Sequence, residues 1–438
     1  MTKKVAVTTL GCKVNQFESA SFITGFTEAG CEIVPFSGPA DIYVINTCAV
    51  TARAGQQSRQ LIRRAMRTNP EARIVVTGCH AQVDAENLLD ILGNPACIIG
   101  NGNKHLLVET ALIEDPPEII MLTGNIGRQR EICRLPVRRF RGRTRCYLRI
   151  QDGCNNFCSY CIVPYSRGRS RSLPKASVIE QTEIFQEQGY REMVITGINV
   201  GKYGLDLDEG EDIYSLLDGL CKKFPGMRIR LSSVEPVEVN DRLLALMGDN
   251  ANFMSHLHIP LQSGDDRILT RMNRRYTVEV FVHVIERIVS AFPGAAIGCD
   301  VLAGFPGEDE TAANNTYRLL KGLPVSYLHV FPYSRRPGTA AAAFKEQVNG
   351  RIKDERVRRL RRLDQEKRQD FYQRQLASSH RVLVERRNKK TGLLQGFSEN
   401  YIPLQFPGPS RLIRQVVRVR LERVEEGIPL ARLEDDQD

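Results

Sequence analysis

Three cysteines stand close together in "GCNNFCSYCIVPYSRG", residues 153–168: Cys154, Cys158 and Cys161. A structural zinc site normally has four ligands, most often supplied by paired C-x-x-C units. Here the spacing is C-x3-C-x2-C, and no Cys or His follows nearby to provide a fourth ligand. Three thiolates suit a [4Fe–4S] cluster in which one iron is left open for a substrate. A zinc site with a distant fourth ligand is the alternative.

A second group of three cysteines is spread along the first part of the chain but shares one sequence context. Cys12, Cys48 and Cys79 each follow a predicted strand by one to three residues. Because the ends of parallel strands meet at one edge of a sheet, these thiols should converge in space. We therefore predict a second three-cysteine iron–sulfur site, again with an open iron. Ordinary buried cysteines are the alternative, and the adjacent His80 could compete as a ligand.

Each group of cysteines falls in a region where short β-branched runs alternate with helical sequence. In the first region the predicted strands cover residues 3–10, 41–47, 72–78 and 96–102. This order predicts a mainly parallel α/β domain. In the second region they cover residues 146–151, 192–197, 227–233, 257–261, 296–304 and 327–333. Six β–α units are fewer than the eight of a TIM barrel, so we predict a partial (β/α)6 barrel with Cys154 beyond its first strand, where such barrels build active sites.

The rest of the chain predicts a basic helix and a small β-domain. Residues 351–368 have helical periodicity, with an apolar stripe formed by Ile352, Val357, Leu360 and Leu363. Residues 381–387, 393–406 and 415–424 alternate every second residue, which predicts a small antiparallel β-barrel. We thus expect an α/β multidomain protein, divided into residues 1–118, an Arg-rich linker over 119–142, the partial barrel over 143–375, and the terminal barrel over 376–438.

Composition limits the setting in which these sites work. The chain has 438 residues, twelve cysteines and a formal net charge of +10. No apolar run approaches the roughly 18 residues of a membrane span, and the start "MTKKVAVTTLG" is typical of a strand rather than a signal peptide. We expect a cytoplasmic protein without a membrane partner, in which grouped cysteines favour metal binding or catalysis. The positive charge favours nucleic acid as a partner.

The first triad, placed after the first strand of a partial barrel, resembles that of radical S-adenosylmethionine (SAM) enzymes. The resemblance implies that SAM chelates the open iron and that one electron from the cluster cleaves it to a 5′-deoxyadenosyl radical. It also implies that Tyr160 lies near the adenine and that Thr196–Asn199, which includes Gly197, lies near the methionine amino group. Other strand ends on the same rim could line the SAM pocket, with turn or packing roles as the alternative: Ser233, Glu235, Gln262, Asp300 and Gly304.

Two triads, a partial barrel and a terminal β-module in this order resemble the methylthiotransferase family over essentially the whole chain. The resemblance implies an auxiliary cluster in the first domain and a TRAM-like RNA-binding barrel at the end. The implied reaction replaces a C–H bond with C–SCH3: one SAM supplies the methyl group, a second supplies the radical, and the sulfur comes from the auxiliary site. The implied partners are tRNA and an electron donor of flavodoxin or ferredoxin type, whereas the sulfur donor is unknown.

Four segments resemble the branch of the family that acts on N6-threonylcarbamoyladenosine beside the anticodon: "TLGCKVNQFES", "VINTCAVTARAGQQSRQLIRRA", "GCNNFCSYCIVP" and "LHVFPYSRRPGT". The implied product carries the methylthio group at C2 of that adenine. Isopentenyladenosine in tRNA and an aspartate of a ribosomal protein are alternative substrates. A non-catalytic iron–sulfur sensor that binds RNA is a further alternative, but such a sensor has no need of the residues on the SAM rim.

Several basic clusters are candidates for contact with RNA phosphates. Arg335 and Arg336 follow the last barrel strand, where they could meet the carboxylate of the threonylcarbamoyl group. Others lie in a turn of the terminal barrel or in the linker: Arg386, Arg387, Lys389 and Lys390, and Arg138, Arg139, Arg141, Arg143 and Arg145. Solvated surface charge is the alternative for each cluster. The terminal module also departs from the TRAM pattern, because "GFSENYIPLQF" stands where a more basic strand is common.

Overall fold

The computed structural model describes residues 2–92, 96–207 and 210–434. The chain begins with a six-stranded parallel sheet in the order β2-β1-β3-β4-β5-β6. Its strands are β1 (Lys4–Thr9), β2 (Glu32–Ile33), β3 (Ile42–Thr47), β4 (Arg73–Gly78), β5 (Ala96–Ile99) and β6 (Ile119–Leu122). Its helices are α1 (Lys13–Glu28), α2 (Ala52–Thr68), α3 (Cys79–Val83), α4 (Ala85–Leu89) and α5 (Leu107–Leu112).

Both faces of this sheet are covered, which explains why its central strands are continuous apolar runs. Every residue of β3 is buried. Helices α1 and α5 bring Phe17, Phe26 and Leu107 to one face, and α2 brings Ile62 and Ala65 to the other. Strand β6 is not anticipated by the sequence analysis; it lies inside the predicted linker and pairs with β5.

The second region forms the predicted partial barrel. Its six parallel strands are β7 (Cys146–Arg149), β10 (Glu192–Thr196), β11 (Arg228–Leu231), β12 (His256–His258), β13 (Ala296–Ala303) and β14 (Tyr327–Pro332). Parallel bridges at Ile229–Phe253 and Ser233–His258 join its two halves. A short pair, β8 (Gln151–Asp152) and β9 (Arg171–Ser172), flanks the cysteine loop. The helices are α6 (Val163–Arg167), α7 (Lys175–Glu187), α8 (Ile213–Lys223), α9 (Asp241–Asp249), α10 (Asp266–Arg271), α11 (Val278–Ala291) and α12 (Glu310–Gly322).

The basic helix is α13 (Gly350–Arg374), and it is longer than the sequence analysis predicts. Val357, Leu360 and Leu363 are buried as expected. Ile352 is not part of the buried stripe, because 43% of its surface is exposed. It lies only about 20° from Leu363 around the helix, so its exposure follows from its place in the first turn of α13 and not from the helical period.

The chain ends in a closed five-stranded barrel in the order β15-β16-β17-β19-β18. Its strands are β15 (Ser379–Arg387), β16 (Leu394–Ser398), β17 (Pro403–Phe406), β18 (Val416–Glu425) and β19 (Ile428–Leu433). The predicted run 393–406 is two strands, separated by a turn in which Tyr401 has a φ of 66°. The barrel is not wholly antiparallel, since β17 pairs with β19 in parallel.

The segment between β6 and β7 packs against both domains. Phe140 is buried against Tyr147, Phe185 and Tyr190. Four of the five predicted arginines have protein partners: Arg138 pairs with Glu28, Arg141 donates to the Ile33 carbonyl, Arg143 donates to Tyr147, and Arg145 pairs with Glu192 and Glu385. Within the described ranges no helix is long and apolar enough to cross a membrane.

Candidate functional site

The first triad lies on a loop that the backbone holds in place at the mouth of the barrel. Gly153 opens the loop with a φ of 73°, and a Cβ there would lie 1.9 Å from the Arg169 carbonyl oxygen. The Cys154 amide donates to the Gly168 carbonyl at 3.0 Å, and the Cys161 amide donates to the Cys158 carbonyl at 2.9 Å. These contacts bring the three thiols to one end of the barrel.

The thiols of this triad are withdrawn from water. Burial raises the pKa of Cys154, and burial together with the neighbouring Cys158 raises the pKa of Cys161 to about 12. Arg274 donates from Nη1 to Cys158 Sγ at 3.3 Å and forms an ion pair with Glu235. A guanidinium in this position stabilises a thiolate. The sequence analysis misses Arg274, because "MNRRY" has no feature that sets it apart from other basic loops.

The structure also brings the second triad together. Cys12 caps the start of α1, Cys48 directly follows β3, and Cys79 is the first residue of α3. A Cβ on Gly11 would lie 3.0 Å from Cys48 Cβ, so the loop before α1 touches the end of β3. Burial, with the nearby Cys79 and Cys12, raises the pKa of Cys48 to about 12. The convergence follows from the shared sheet edge.

The chemistry of the donors fits an iron–sulfur cluster. Each triad supplies three cysteine thiols, whose thiolates are the ligands that hold [4Fe–4S] clusters, and three such ligands leave one iron of the cluster open. Among the described residues, His258, Asp300 and His329 form a separate group whose potential ligand atoms all lie within 4.8 Å of one another, but its donors are nitrogen and oxygen rather than sulfur.

The neighbouring His80 is engaged through one of its ring nitrogens, while its Nδ1 is buried without a hydrogen-bond partner among the described residues. Its Nε2 lies 2.9 Å from Asp84 Oδ2, and burial lowers its pKa. Asn101 Nδ2 approaches Cys79 Sγ at 3.8 Å and donates to the Ser166 carbonyl of α6 at 2.6 Å. The second triad is therefore in contact with the barrel domain.

A cleft of about 260 Å³ lies between the barrel mouth and the loop that follows Cys48. Val50 and Thr51 of that loop line it, together with Tyr160 and Cys161 of the barrel domain. The Ala52 amide donates to Ser334 Oγ at 3.0 Å, which fastens the first domain to the loop after β14. The first triad thus reaches the cleft directly through Cys161, whereas the second triad adjoins it through the residues after Cys48.

The residues that resemblance places around SAM lie on this side of the barrel, but in different surroundings. Tyr160, Gln262 and Asp300 line the cleft. Glu235 lines an adjacent cavity with Cys158, and the Asn199 side chain interacts with the Cys154 thiol. Gly197 and Ser233 are placed by backbone contacts. A Cβ on Gly197 would lie 2.9 Å from the Gln151 carbonyl oxygen, and Ser233 forms a parallel β-bridge with His258. Gly304 packs against the side chain of Lys353.

Asp300 carries its charge inside the barrel. Although burial opposes ionisation, His258 Nε2 at 2.8 Å and His329 Nδ1 at 3.4 Å hold the pKa of its carboxyl well below the usual range. These hydrogen bonds account for the close group of potential ligands. They also leave Asp300 as a fixed negative group in the wall of the cleft.

The predicted RNA-contact residues differ in their availability. Arg336 is half-buried and lies near Asp84, Cys48 and Arg59, and burial lowers its pKa. Arg335 Nε donates to the Ala342 carbonyl at 2.7 Å. Arg386 and Arg387 donate to groups of their own barrel, whereas the side chains of Lys389 and Lys390 are exposed in the β15–β16 turn.

Comparison with known proteins places this geometry in a family. The model of uncharacterized protein family UPF0004 matches residues 4–100, and the Radical SAM superfamily matches residues 148–320. Over 421 residues the chain is 38% identical to threonylcarbamoyladenosine tRNA methylthiotransferase MtaB of Bacillus subtilis, covering 95% of this chain and 93% of that protein. The chain belongs to the radical SAM methylthiotransferase family.

Other relatives extend the comparison. The MtaB protein of Aquifex aeolicus is 39% identical over 419 residues, which are 95% of this chain and 99% of that protein. The tRNA-2-methylthio-N(6)-dimethylallyladenosine synthase of Pelotomaculum thermopropionicum is 34% identical over 429 residues, 95% and 94% of the two chains. The radical SAM methyltransferase TsrM of Kitasatospora setae shares the fold at a TM-score of 0.56 and 16% identity, over 78% and 77% of the two chains.

Membership defines the class of chemistry. This radical SAM methylthiotransferase is an enzyme whose cofactors are SAM and two [4Fe–4S] clusters. Its terminal five-stranded barrel agrees with the TRAM-like module expected at that position.

Proposed function

We propose that this enzyme adds a methylthio group to C2 of N6-threonylcarbamoyladenosine beside the anticodon of tRNA. The observation that carries the proposal is near full-length similarity to five relatives named MtaB, at 34–39% identity. A cleft lined by Cys161 of one triad and by Val50 and Thr51, which follow Cys48 of the other, supports it, because the reaction joins a radical step to a sulfur transfer at the same carbon.

We assign one cluster to each triad. Cys154, Cys158 and Cys161 would hold the cluster that binds SAM, and Cys12, Cys48 and Cys79 would hold the auxiliary cluster. The first supplies the electron that cleaves SAM, and the second supplies a site for the transferred sulfur. In the surrounding protein, Arg274 holds Cys158 by its donated hydrogen bond, and Tyr160 and Gln262 offer contacts for SAM in the cleft.

Basic residues near the second triad suit the threonylcarbamoyl group. Its carboxylate is anionic, and Arg336 lies close to Cys48 and to Arg59. Arg335 precedes it in the same loop, but its Nε already donates to the Ala342 carbonyl. We therefore propose Arg336 as the main partner of the carboxylate, with Arg335 as an outer contact. An apolar isopentenyl group would leave such a guanidinium unpaired, at about 1–3 kcal/mol.

The remainder of the tRNA would contact basic residues outside the cleft. Lys389 and Lys390 are exposed, and Arg386 and Arg387 flank them on the same hairpin. We propose that this turn neutralises phosphates. A tRNA substrate and grouped cysteines support a cytoplasmic location, where a flavodoxin or ferredoxin would reduce the SAM-binding cluster. The sulfur donor is left unassigned.

The deciding experiment uses two matched tRNAs, one with N6-threonylcarbamoyladenosine and one with isopentenyladenosine beside the anticodon. The reconstituted enzyme, SAM and reductant are supplied to both, and nucleosides are analysed by mass spectrometry. We expect a methylthio product from the first tRNA only. Equal rates, or a product from the isopentenyl form alone, would overturn the substrate and retain the enzyme class. No product with either, and no SAM cleavage, would favour the sensor.

The isopentenyl substrate is the second candidate because a relative named for it is also 34% identical over nearly the whole chain. The variant Arg336→Met distinguishes the two candidate substrates within one enzyme. If the guanidinium binds the carboxylate, the variant should lose activity on the threonylcarbamoyl form at least tenfold through KM, while still cleaving SAM. Activity that is unchanged would contradict the proposed role of Arg336.

A further inference from the structure

A fully buried group of charges lies where α1 of the first domain meets the start of the barrel domain. Arg167, at the end of α6, is 0% exposed. Its Nη1 donates to Glu18 Oε1 at 3.0 Å and to Asp152 Oδ1 at 2.9 Å, and its Nη2 donates to Asn15 Oδ1 at 2.6 Å. One side chain thus ties α1 to the strand and helix that flank the first triad.

The charges in this group do not balance. Two carboxylates, Glu18 and Asp152, are surrounded by Arg149, Arg167 and Arg171 at 2.9–3.8 Å, and all five side chains are nearly or wholly buried. Lys104 also pairs with Glu18. Even without Lys104, three cations face two anions. A buried excess of positive charge is unfavourable unless an anion lies nearby.

The thiols of the second triad are in the right place for that anion. The charge of Arg167 opposes the rise in pKa that burial causes in Cys12 and Cys48. In turn, although burial disfavours its charge, Asp152 and Cys79 foremost raise the pKa of Arg167 well above its usual value. Asn15, which Arg167 contacts, lies 3.8 Å from Cys12 Sγ. Arg167 therefore stands beside the second triad while belonging to the helix that follows the first.

The guanidinium of Arg167 also has an unused donor. Among the described residues, Arg167 Nε is buried without a hydrogen-bond partner, as are Arg149 Nε and Arg171 Nε, but Arg167 is the one of the three whose charge interacts with Cys12 and Cys79. A buried N–H without a partner costs about 1–3 kcal/mol, so an acceptor at the second triad would complete the site. Sulfur atoms of a metal cluster accept such hydrogen bonds, and these bonds raise the reduction potential of the cluster.

We propose that Arg167 is a positioning residue of the auxiliary cluster, which it binds by charge and by an N–H···S hydrogen bond and which it keeps at a more positive reduction potential. The proposal rests on the proposed cluster at Cys12, Cys48 and Cys79. Because Arg167 follows Cys161 by six residues, the same contact fixes the second triad relative to the first. The auxiliary cluster would thus be easier to reduce and harder to oxidise than it would be without Arg167.

The test uses the full chain with Cys154, Cys158 and Cys161 replaced by Ala, so that one cluster is left. In this parent, R167K is compared with R149K, since Arg149 pairs with the same two carboxylates. Potentiometric titration followed by EPR should give a lower midpoint for R167K, with at least a tenfold change in the reduced-to-oxidised ratio at fixed potential, which is about 59 mV. R149K should stay near the parent.

The possible outcomes distinguish the role of Arg167 from the existence of a cluster at Cys12, Cys48 and Cys79. Iron bound in R167K at an unchanged midpoint would overturn the role of Arg167 alone. A parent that binds no iron would overturn the cluster site and this proposal with it. Equal shifts in R167K and R149K would show a general effect of the buried charges, and would also contradict a specific contact.

A second measurement avoids the risk that R167K fails to fold. In the parent labelled with 15N-arginine, pulsed EPR of the reduced cluster should detect hyperfine coupling to an arginine nitrogen. Removing the first triad excludes a signal from Arg274, which donates to Cys158, and Arg336→Met in the same parent excludes a signal from Arg336, which lies near Cys48. Absence of any arginine coupling would overturn the hydrogen bond.

Discussion

At the scale of single residues, the two triads are predicted to have separable roles. Replacing Cys154, Cys158 and Cys161 by Ala removes the thiols that suit the SAM-binding cluster but leaves the second triad intact. We expect the iron content to fall from about eight to about four atoms per chain. SAM cleavage should be lost. Iron analysis and chromatography of 5′-deoxyadenosine provide the measurement, and full iron in the variant would contradict the assignment.

The converse replacement tests the second triad. With Cys12, Cys48 and Cys79 changed to Ala, the loop of the first triad keeps its backbone contacts, so SAM should still be cleaved to 5′-deoxyadenosine. No methylthio nucleoside should form, because the sulfur site is lost. Cys221→Ala is a matched control, since Cys221 is buried in α8 away from both groups. Product from the triple variant would show that the sulfur binds elsewhere.

The sequence predicts those site residues that lie directly after the ends of parallel strands, but not those whose positions depend on loops or on contacts between domains. Convergence of Cys12, Cys48 and Cys79 could be foreseen because parallel strands end at one edge. Arg274 and Arg167 could not be foreseen, because their roles depend on loops and on a domain contact between residues distant in sequence. Glu18 offers a weak signal in hindsight: it is an acid on the buried side of α1.

At the scale of secondary-structure elements, the β15–β16 hairpin is the predicted phosphate contact. Lys389→Gln with Lys390→Gln removes two exposed charges from the turn without touching a buried group. Because each phosphate contact contributes a slope of about 0.7–0.9 to the plot of log affinity against log salt, the slope should fall by about 1.5. Fluorescence anisotropy at several salt concentrations measures it.

The control for this prediction is Lys222→Gln, an exposed lysine of α8 that pairs with Asp218. It changes the net charge but not the hairpin, so its slope should match that of the unaltered enzyme. An unchanged slope in the hairpin variant would move the RNA contact away from the terminal barrel.

Strands differ in how well the sequence alone predicts them. Strands with buried β-branched runs were expected close to their observed bounds, because burial on both faces leaves a continuous apolar signal. β6 and β19 lack that signal: β6 alternates exposed and half-buried residues, and only two of the six residues of β19 are buried. Pairing with an adjacent strand makes them strands, and the pairing is not visible in local sequence.

At the scale of the whole molecule, the junction of the barrel with the terminal domain should respond to acid. His256 stacks against Tyr401 at 4.6 Å and hydrogen-bonds Tyr327 at 2.7 Å. Burial, followed by Arg230, His258, Lys13 and His329, holds its pKa well below the usual 6.5. The folded state therefore keeps His256 neutral, while the unfolded chain takes up a proton as the pH falls below about 6.5.

The stability contributed by neutral His256 is thus complete above about pH 6.5 and is lost progressively below it, by about 1.4 kcal/mol for each pH unit. We expect the thermal midpoint of the metal-free protein to be lower at pH 5.5 than at pH 7.5. The decrease should be smaller in His256→Gln. Calorimetry gives both values. His283→Gln on α11 is the control, and an identical pH dependence in all three proteins would contradict the prediction.

The terminal barrel is held to the catalytic domain by contacts that leave little freedom. Arg228 donates to the Arg381 carbonyl, and Arg230 donates to the carbonyls of Ser398 and Glu399 while pairing with Glu192. In the proposed complex, the hairpin that holds the phosphates then stands at a set distance from the cleft. The enzyme would therefore select RNA by distance as well as by base. The target base must reach the cleft while the phosphates farther along the same RNA reach the hairpin.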